Sequence, residues 1–144
     1  MRIGQSSAKR IMVIYGTRPE AIKLAPVIRA IGASPRLCPI VTLTGQHRTM
    51  VEQVNSMFGI RPDHDLDVIR PGQSLHGLTA RVLERLSPIL QQDRPGAVVV
   101  QGDTTSAFAG ALAAFYEQIP WSMSRPACGP ATSTRRSPKR PTGG

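Results

Sequence analysis

The chain alternates between two hydrophobic periods. Ile11-Met12-Val13-Ile14-Tyr15 is an unbroken apolar run closed by Gly16, the pattern of a strand buried on both faces. Pro19 then opens a helical stretch from Glu20 to Ile31, with an acid in the first turn where the helix dipole favours it. Pro26 lies inside that stretch, so a kink or a late helix start is expected. Ile40-Val41-Thr42-Leu43 reads as a second strand ended at Gly45. Residues 47–57 read as a short helix capped by Gly59 and stopped by Pro62. The longest periodic segment is 74–92. There Leu75, Leu78, Val82, Leu86, Ile89 and Leu90 fall on one helical stripe and Ser74 is a natural N-cap. Pro95-Gly96 turns the chain into Ala97-Val98-Val99-Val100, a third buried strand. After Gly102-Asp103-Thr104-Thr105 an Ala-rich helix runs from about 106 to 117. Repeats of strand, loop and helix at these lengths predict an α/β fold, with parallel strands and right-handed crossovers in a Rossmann-like sheet.

The pattern stops at Pro120. Residues 121–144 contain four prolines and three glycines, and only five of these 24 residues are apolar. Such a segment cannot offset its ordering entropy by burial, so 121–144 is expected to be a disordered tail. Residues 1–10 form a basic leader, which leaves 11–120 as the expected domain.

Charge follows the same boundaries. The 144 residues include 18 Lys and Arg against 9 Asp and Glu, a formal net charge of +9, which taken whole suggests a polyanion partner. The distribution removes that suggestion. Five basic residues lie in 121–144 and three in 1–10, while 11–120 holds ten basic and nine acidic residues. One alternative is a non-enzymatic Rossmann module whose basic tail binds nucleic acid. Only six aromatics are present and none is interleaved with the basic residues, so base stacking is not provided for and no nucleic-acid partner is expected. No apolar run approaches the roughly 20 residues that span a bilayer, and no membrane partner is expected. The N-terminus has early charges and no long apolar segment of a secretory signal. Cys38 and Cys128 make neither a disulfide framework nor a metal-ligand spacing. A reduced, cytoplasmic protein without a metal site is the expectation.

Ligands of open α/β sheets bind beyond the carboxyl ends of the strands, where three loops fall. Gly16-Thr17-Arg18-Pro19-Glu20 joins a glycine to an arginine at a helix N-terminus, which together attract an anion, and Lys23 follows one turn on. In the plainer alternative Arg18 is solvated and Glu20 merely caps. Thr44-Gly45-Gln46-His47-Arg48 offers His47, which in a loop is more often neither base nor ligand. Gln101-Gly102-Asp103-Thr104-Thr105 places a carboxylate after a strand, where it faces the cleft or caps the next helix with its threonines. Asp63-His64-Asp65-Leu66-Asp67 has an acidic, metal-like look, but it follows a helix-ending Gly and Pro and reads as a solvated turn.

Four segments in order resemble a known family: Tyr15 through Lys23, Gly45-Gln46-His47-Arg48, Pro71-Gly72-Gln73 and Gly102-Asp103-Thr104-Thr105. They are similar to the non-hydrolysing UDP-N-acetylglucosamine 2-epimerases from about residue 10 to Pro120. Arg18-Pro19-Glu20 resembles that branch rather than the hydrolysing one, which carries Arg-Ala-Asp. The resemblance implies a glycosyltransferase-B type fold, of which this chain is the N-terminal half, with substrate between two Rossmann-like domains. It implies interconversion of UDP-GlcNAc and UDP-ManNAc with no added cofactor or essential metal, through elimination of UDP to a 2-acetamidoglucal and its re-addition. It further implies a homodimer for the complete enzyme and a role in polysaccharide biosynthesis. Arg18 and Lys23 match nucleotide-sugar-binding positions, and Asp103 matches an active-site carboxylate. Gln46 matches a position linked in some members to an allosteric UDP-GlcNAc site, whose other positions differ here at Thr49 and Gly72. Gln101 stands where many members have His. A hydrolysing epimerase or a nucleotide-sugar glycosyltransferase on the same scaffold is the alternative within the fold.

The genetic code accounts for the break after Pro120. Trp121 to Gly129 can be encoded TGG TCC ATG TCG AGG CCG GCC TGC GGA. One G restored in front gives VVHVEAGLR, and continuing through Gly143 gives TGDLYSPFPEEANR, which resemble the family's next motifs in order. Residues 121–144 are therefore expected to be an out-of-frame tail. A chain so altered is expected to lack further catalytic carboxylates, to be inactive, and to expose apolar surface that later strands would cover.

Overall fold

The computed structural model describes residues 7–124. Four βα units follow one another: β1 (Lys9–Tyr15), α1 (Arg18–Ala33), β2 (Leu37–Leu43), α2 (Arg48–Phe58), β3 (His64–Asp65), α3 (Leu75–Asp93), β4 (Ala97–Gln101), α4 (Thr105–Tyr116) and a closing β5 (Trp121–Ser124). The five strands make one parallel sheet in the order β3-β2-β1-β4-β5. The order reverses between β1 and β4, which is the switch point at which open α/β sheets leave a crevice.

Alternation along β1 divides the core in two. Ile11, Val13 and Tyr15 pack with Ala21, Leu24, Ile28 and Val51 under α1 and α2. Met12 and Ile14 pack on the other face with Leu78, Val82, Leu86 and Leu90 of α3 and the alanines of α4. Small residues let α4 lie close to the sheet. A Cβ on Gly110 would already stand 3.3 Å from a Val100 methyl. The α3 stripe forms as its spacing predicts, except that Leu75 is exposed and Ile89 only half-buried. Ser74 caps α3 by accepting from the Gly77 N–H at 3.1 Å. Ser87 and Gln91 on α3 both donate to Glu117 at the end of α4, and these bonds hold its carboxyl below the usual glutamate range.

Several expectations need correction. β1 begins at Lys9, so the end of the basic leader belongs to the sheet. α1 shows no late start and runs through Pro26, which is exposed, so the carbonyl deprived of its partner faces water. The expected turn at 63–67 contains β3, and Asp63 is part of its seating, accepting from the Val41 N–H at 2.7 Å. Most notably, order continues past Pro120. Trp121–Ser124 pairs with Val98–Gln101 as an edge strand, although disorder is expected there from composition. Strand pairing is made by backbone groups, and the Pro120 carbonyl already accepts from Val98 N–H at 2.8 Å. The remainder of the expected tail, with Cys128, lies outside the described residues, as do residues 1–6.

Tyr15 supplies a test of this packing. It is fully buried at the end of β1, and its hydroxyl donates to Asn55 Oδ1 at 2.8 Å. Burial pushes its pKa up from 10.0 to about 12. The folded phenol therefore holds its proton more tightly than the unfolded one. Stability is full below pH 10.0 and falls as pH rises through about 12. The expected loss is about 2 kcal/mol, measured as the fall in urea unfolding free energy across that window. Tyr15→Phe should remove this component of the fall.

Candidate functional site

The loops after β1, β2 and β4 meet at the carboxyl edge of the sheet, and α4's first turn is where they join. Thr104 caps α4 by accepting from the Ala107 N–H at 3.1 Å. The same hydroxyl donates to Glu20 Oε1 on α1, 84 positions earlier in the chain. Glu20 is 3% exposed, and its Oε2 accepts from the N–H groups of Gly16 and Thr17, both at 2.9 Å. This bond to the residue before the helix is half of a capping box, which the Thr17-x-x-Glu20 spacing signals in sequence.

The second loop is tied on by Ser106. Its hydroxyl donates to Gln46 Oε1 at 2.9 Å and lies 2.9 Å from the Thr44 hydroxyl. Serine has one proton to give, so Thr44 is the donor in the second bond. Gly16 sits against this pair so closely that a Cβ there would stand 1.8 Å from Thr44 Oγ1 and 2.8 Å from Ser106 Oγ. His47 N–H donates to the Gly16 carbonyl at 3.0 Å, completing the junction.

The expected site residues fall into place unevenly. Asp103 is exposed in the loop between β4 and α4, and the capping role belongs to Thr104 instead. Gln46 is brought to the junction through Ser106. Arg18 is the first residue of α1 and Lys23 lies five positions on. Both are exposed, and neither forms an ion pair among the described residues. Arg48, in contrast, is engaged by Asp65 at 2.7 Å and Glu52 at 3.4 Å. The side chain of His47 is exposed and only its backbone serves the junction. Gln101 is buried, and with its amide turned to satisfy both ends it donates to the Ser124 carbonyl and accepts from Gly102 N–H.

Of the two readings of this loop, the plainer one describes Glu20, which caps. The N-terminus of α1 does not offer the Gly16 and Thr17 amides to an external anion, because Glu20 has taken both. Glu20, Thr44 and Ser106 are the residues that reading the sequence for ligand-binding groups passes over. Only Glu20 carried a signal, through the capping-box spacing.

Beside Asp103 a groove of about 500 Å³ runs between α4 and the sheet edge, lined by Phe108, Leu112, Phe115, Trp121 and Met123. Its aromatic and methionine side chains are 40–66% exposed. Its chemistry does not suit a phosphate. Among the described residues no group of three or more His, Cys, Asp or Glu could hold a metal ion, and no helix is long and apolar enough to cross a membrane.

A family model described as UDP-N-acetylglucosamine 2-epimerase matches residues 29–122. The UDP-N-acetylglucosamine 2-epimerase of Escherichia coli (strain K12) is 48% identical over 111 residues, which is 77% of this chain and 30% of that protein. A crystal structure of UDP-GlcNAc 2-epimerase from Neisseria meningitidis bound to UDP-GlcNAc matches with a TM-score of 0.76 and 43% identity, over 79% of this chain and 31% of the other. That of the Methanocaldococcus jannaschii enzyme in complex with UDP-GlcNAc and UDP matches with a TM-score of 0.74 and 30% identity, over 79% and 32%. The shared architecture is the Rossmann-like α/β sheet of a glycosyltransferase-B type fold. The chain spans about 30% of the length of the curated relatives it matches.

Proposed function

Because the chain belongs to the UDP-N-acetylglucosamine 2-epimerase family, we propose that its strand-end loops form one wall of a site that interconverts UDP-GlcNAc and UDP-ManNAc. In this reaction a base takes the C2 proton as the bond from C1 to UDP breaks, leaving UDP and a 2-acetamidoglucal. UDP then returns to C1 while a proton is delivered to the opposite face of C2. The electrons balance within the substrate, so the scheme calls for no outside oxidant. Arg18 and Lys23 are the cations for the UDP diphosphate. Asp103 is an acid/base group at the sugar, and Gln46 belongs to an allosteric position. The single observation that carries this reading is the junction itself: Glu20, Thr44, Gln46, Thr104 and Ser106 fix the three loops to one another.

Residues 11–120 are on this reading the in-frame part of the N-terminal domain, and 121–144 are read out of frame. The complete enzyme is a cytoplasmic homodimer whose partner is the nucleotide-sugar rather than nucleic acid or a membrane. In the present frame 121–144 contain no Asp or Glu, so these residues do not supply the carboxylates that the restored frame would carry. The test begins with the encoding DNA. A single-base restoration at the Pro120 codon should open the VVHVEAGLR frame, and if none does, the frame reading is wrong. The restored enzyme, given UDP-GlcNAc, should yield ManNAc still attached to UDP. Free ManNAc with UDP would support the hydrolysing alternative, and sugar transfer to an acceptor would support a glycosyltransferase. Salt-sensitive nucleic-acid binding lost on deletion of 121–144 would support the non-enzymatic module.

A further inference from the structure

The crevice between β1 and β4 is where a sheet of this order ordinarily receives an anionic ligand, on the free amides of the helix that follows β1. In this protein the anion comes from the chain. The Glu20 carboxylate is buried at that point, with Oε2 on the Gly16 and Thr17 amides and Oε1 on the Thr104 hydroxyl. Its charge lies against α1's positive end and its oxygens satisfy donors from both sides of the switch point.

We infer that Glu20 is a positioning residue: it occupies the anion site at the start of α1 and, through Thr104, sets the Asp103 loop relative to the loop that carries Arg18. The link to catalysis rests on the function proposed above. Thr104 is the element that transmits the position. It follows Asp103 directly in the chain, caps α4 through Ala107, and is held from the far side of the crevice by Glu20. A displacement of Glu20 therefore moves the backbone from which Asp103 projects. A second consequence concerns the ligand. Since the Gly16 and Thr17 amides ahead of α1 are taken, a diphosphate is met here by the side chains of Arg18 and Lys23 and not by those two amides.

The test uses the 144-residue chain, amide NMR and inorganic phosphate as the probe. In the wild-type chain phosphate should leave the Gly16 and Thr17 amide signals unmoved. In Glu20→Ala those signals should shift with phosphate and their hydrogen exchange should rise about tenfold. The Gly102–Thr105 amides should also exchange about tenfold faster, although Thr104 keeps its cap on Ala107. Thr104→Val should free the Gly102–Thr105 loop while leaving Gly16 and Thr17 protected, and Thr104→Ser, which keeps the hydroxyl, should retain the wild-type pattern. Phosphate shifts at Gly16 and Thr17 in the wild-type chain would overturn the inference, as would an unchanged Gly102–Thr105 loop in Glu20→Ala. Should Glu20→Ala not fold, the wild-type titration and the Thr104 pair still decide. None of these signals requires turnover. A restored enzyme that leaves UDP-GlcNAc untouched would therefore overturn the proposed function and not the occupancy of the anion site.

Discussion

Gly16→Ala should lower the unfolding free energy by about 4 kcal/mol, mostly through the two hydroxyls that the new methyl displaces. Its Cβ would lie 1.8 Å from Thr44 Oγ1 and 2.8 Å from Ser106 Oγ, distances that no small adjustment relieves. Thr44 and Ser106 are both fully buried, one at the end of a central strand and the other in the first turn of α4. Threonine is stiff at χ1, so moving its hydroxyl means moving backbone or adopting a poor rotamer. Overpacking of this kind costs about 1–3 kcal/mol, and a buried hydroxyl left without its partner adds about 1–3 more. The sum is a large share of a typical total of about 5–15 kcal/mol. Urea unfolding reads it as a fall in the midpoint at unchanged slope. Gly32→Ala is the control, because a Cβ there meets only a Pro39 carbon at 3.9 Å on an exposed helical face. That substitution should raise stability by about 0.5–1 kcal/mol. Adding Thr44→Ala to Gly16→Ala should recover part of the loss, since it removes the 1.8 Å contact. A Gly16→Ala chain as stable as wild type would mean that the three loops do not approach as described.

The contrast between Gly32 and Gly16 also shows which parts of the molecule were legible in sequence. Elements whose burial follows a local period were readable. The α3 stripe at Leu78, Val82, Leu86 and Leu90 appears as spaced, and so do the apolar runs of β1, β2 and β4. Period says nothing about an element defined by pairing. β3 is two residues long, and β5 is an edge strand whose Trp121 and Met123 remain 47% and 40% exposed. Backbone hydrogen bonds to β4 define β5, and composition carries no record of them. The site follows the same division. Arg18 and Asp103 stand out in sequence as candidates because charged side chains in the loops after strands have a recognisable place. The bond from Glu20 to Thr104 joins residues 84 apart, and the Thr44 to Ser106 bond joins residues 62 apart. Nothing local marks such partners. Glu20 looked like an ordinary first-turn acid because its capping half is local and its crossing half is not.

Asp103 and Thr104 are adjacent, yet their substitution should separate catalysis from stability. In the complete, frame-restored enzyme Asp103→Asn is expected to lower kcat by about 10³-fold, the order of effect of removing a general acid or base. Its unfolding free energy should change by less than about 0.5 kcal/mol, because an exposed charge near a helix N-terminus contributes little once screened. Thr104→Ala should do the reverse in stability. It removes the cap on Ala107 and the hydroxyl that Glu20 holds, at a cost of about 1–2 kcal/mol. Its activity loss should be smaller and partly restored in Thr104→Ser, since the carboxylate proposed to act at the sugar is still present. Paired measurements of kcat and urea midpoints on both variants discriminate the readings. If Asp103→Asn costs about 1 kcal/mol and keeps its activity, the carboxylate is a capping group after all. The structure argues against that outcome on geometric grounds, because the acceptor for the Ala107 N–H is the Thr104 hydroxyl. With the cap supplied by its neighbour, the exposed Asp103 carboxylate takes no part in holding the Ala107 N–H.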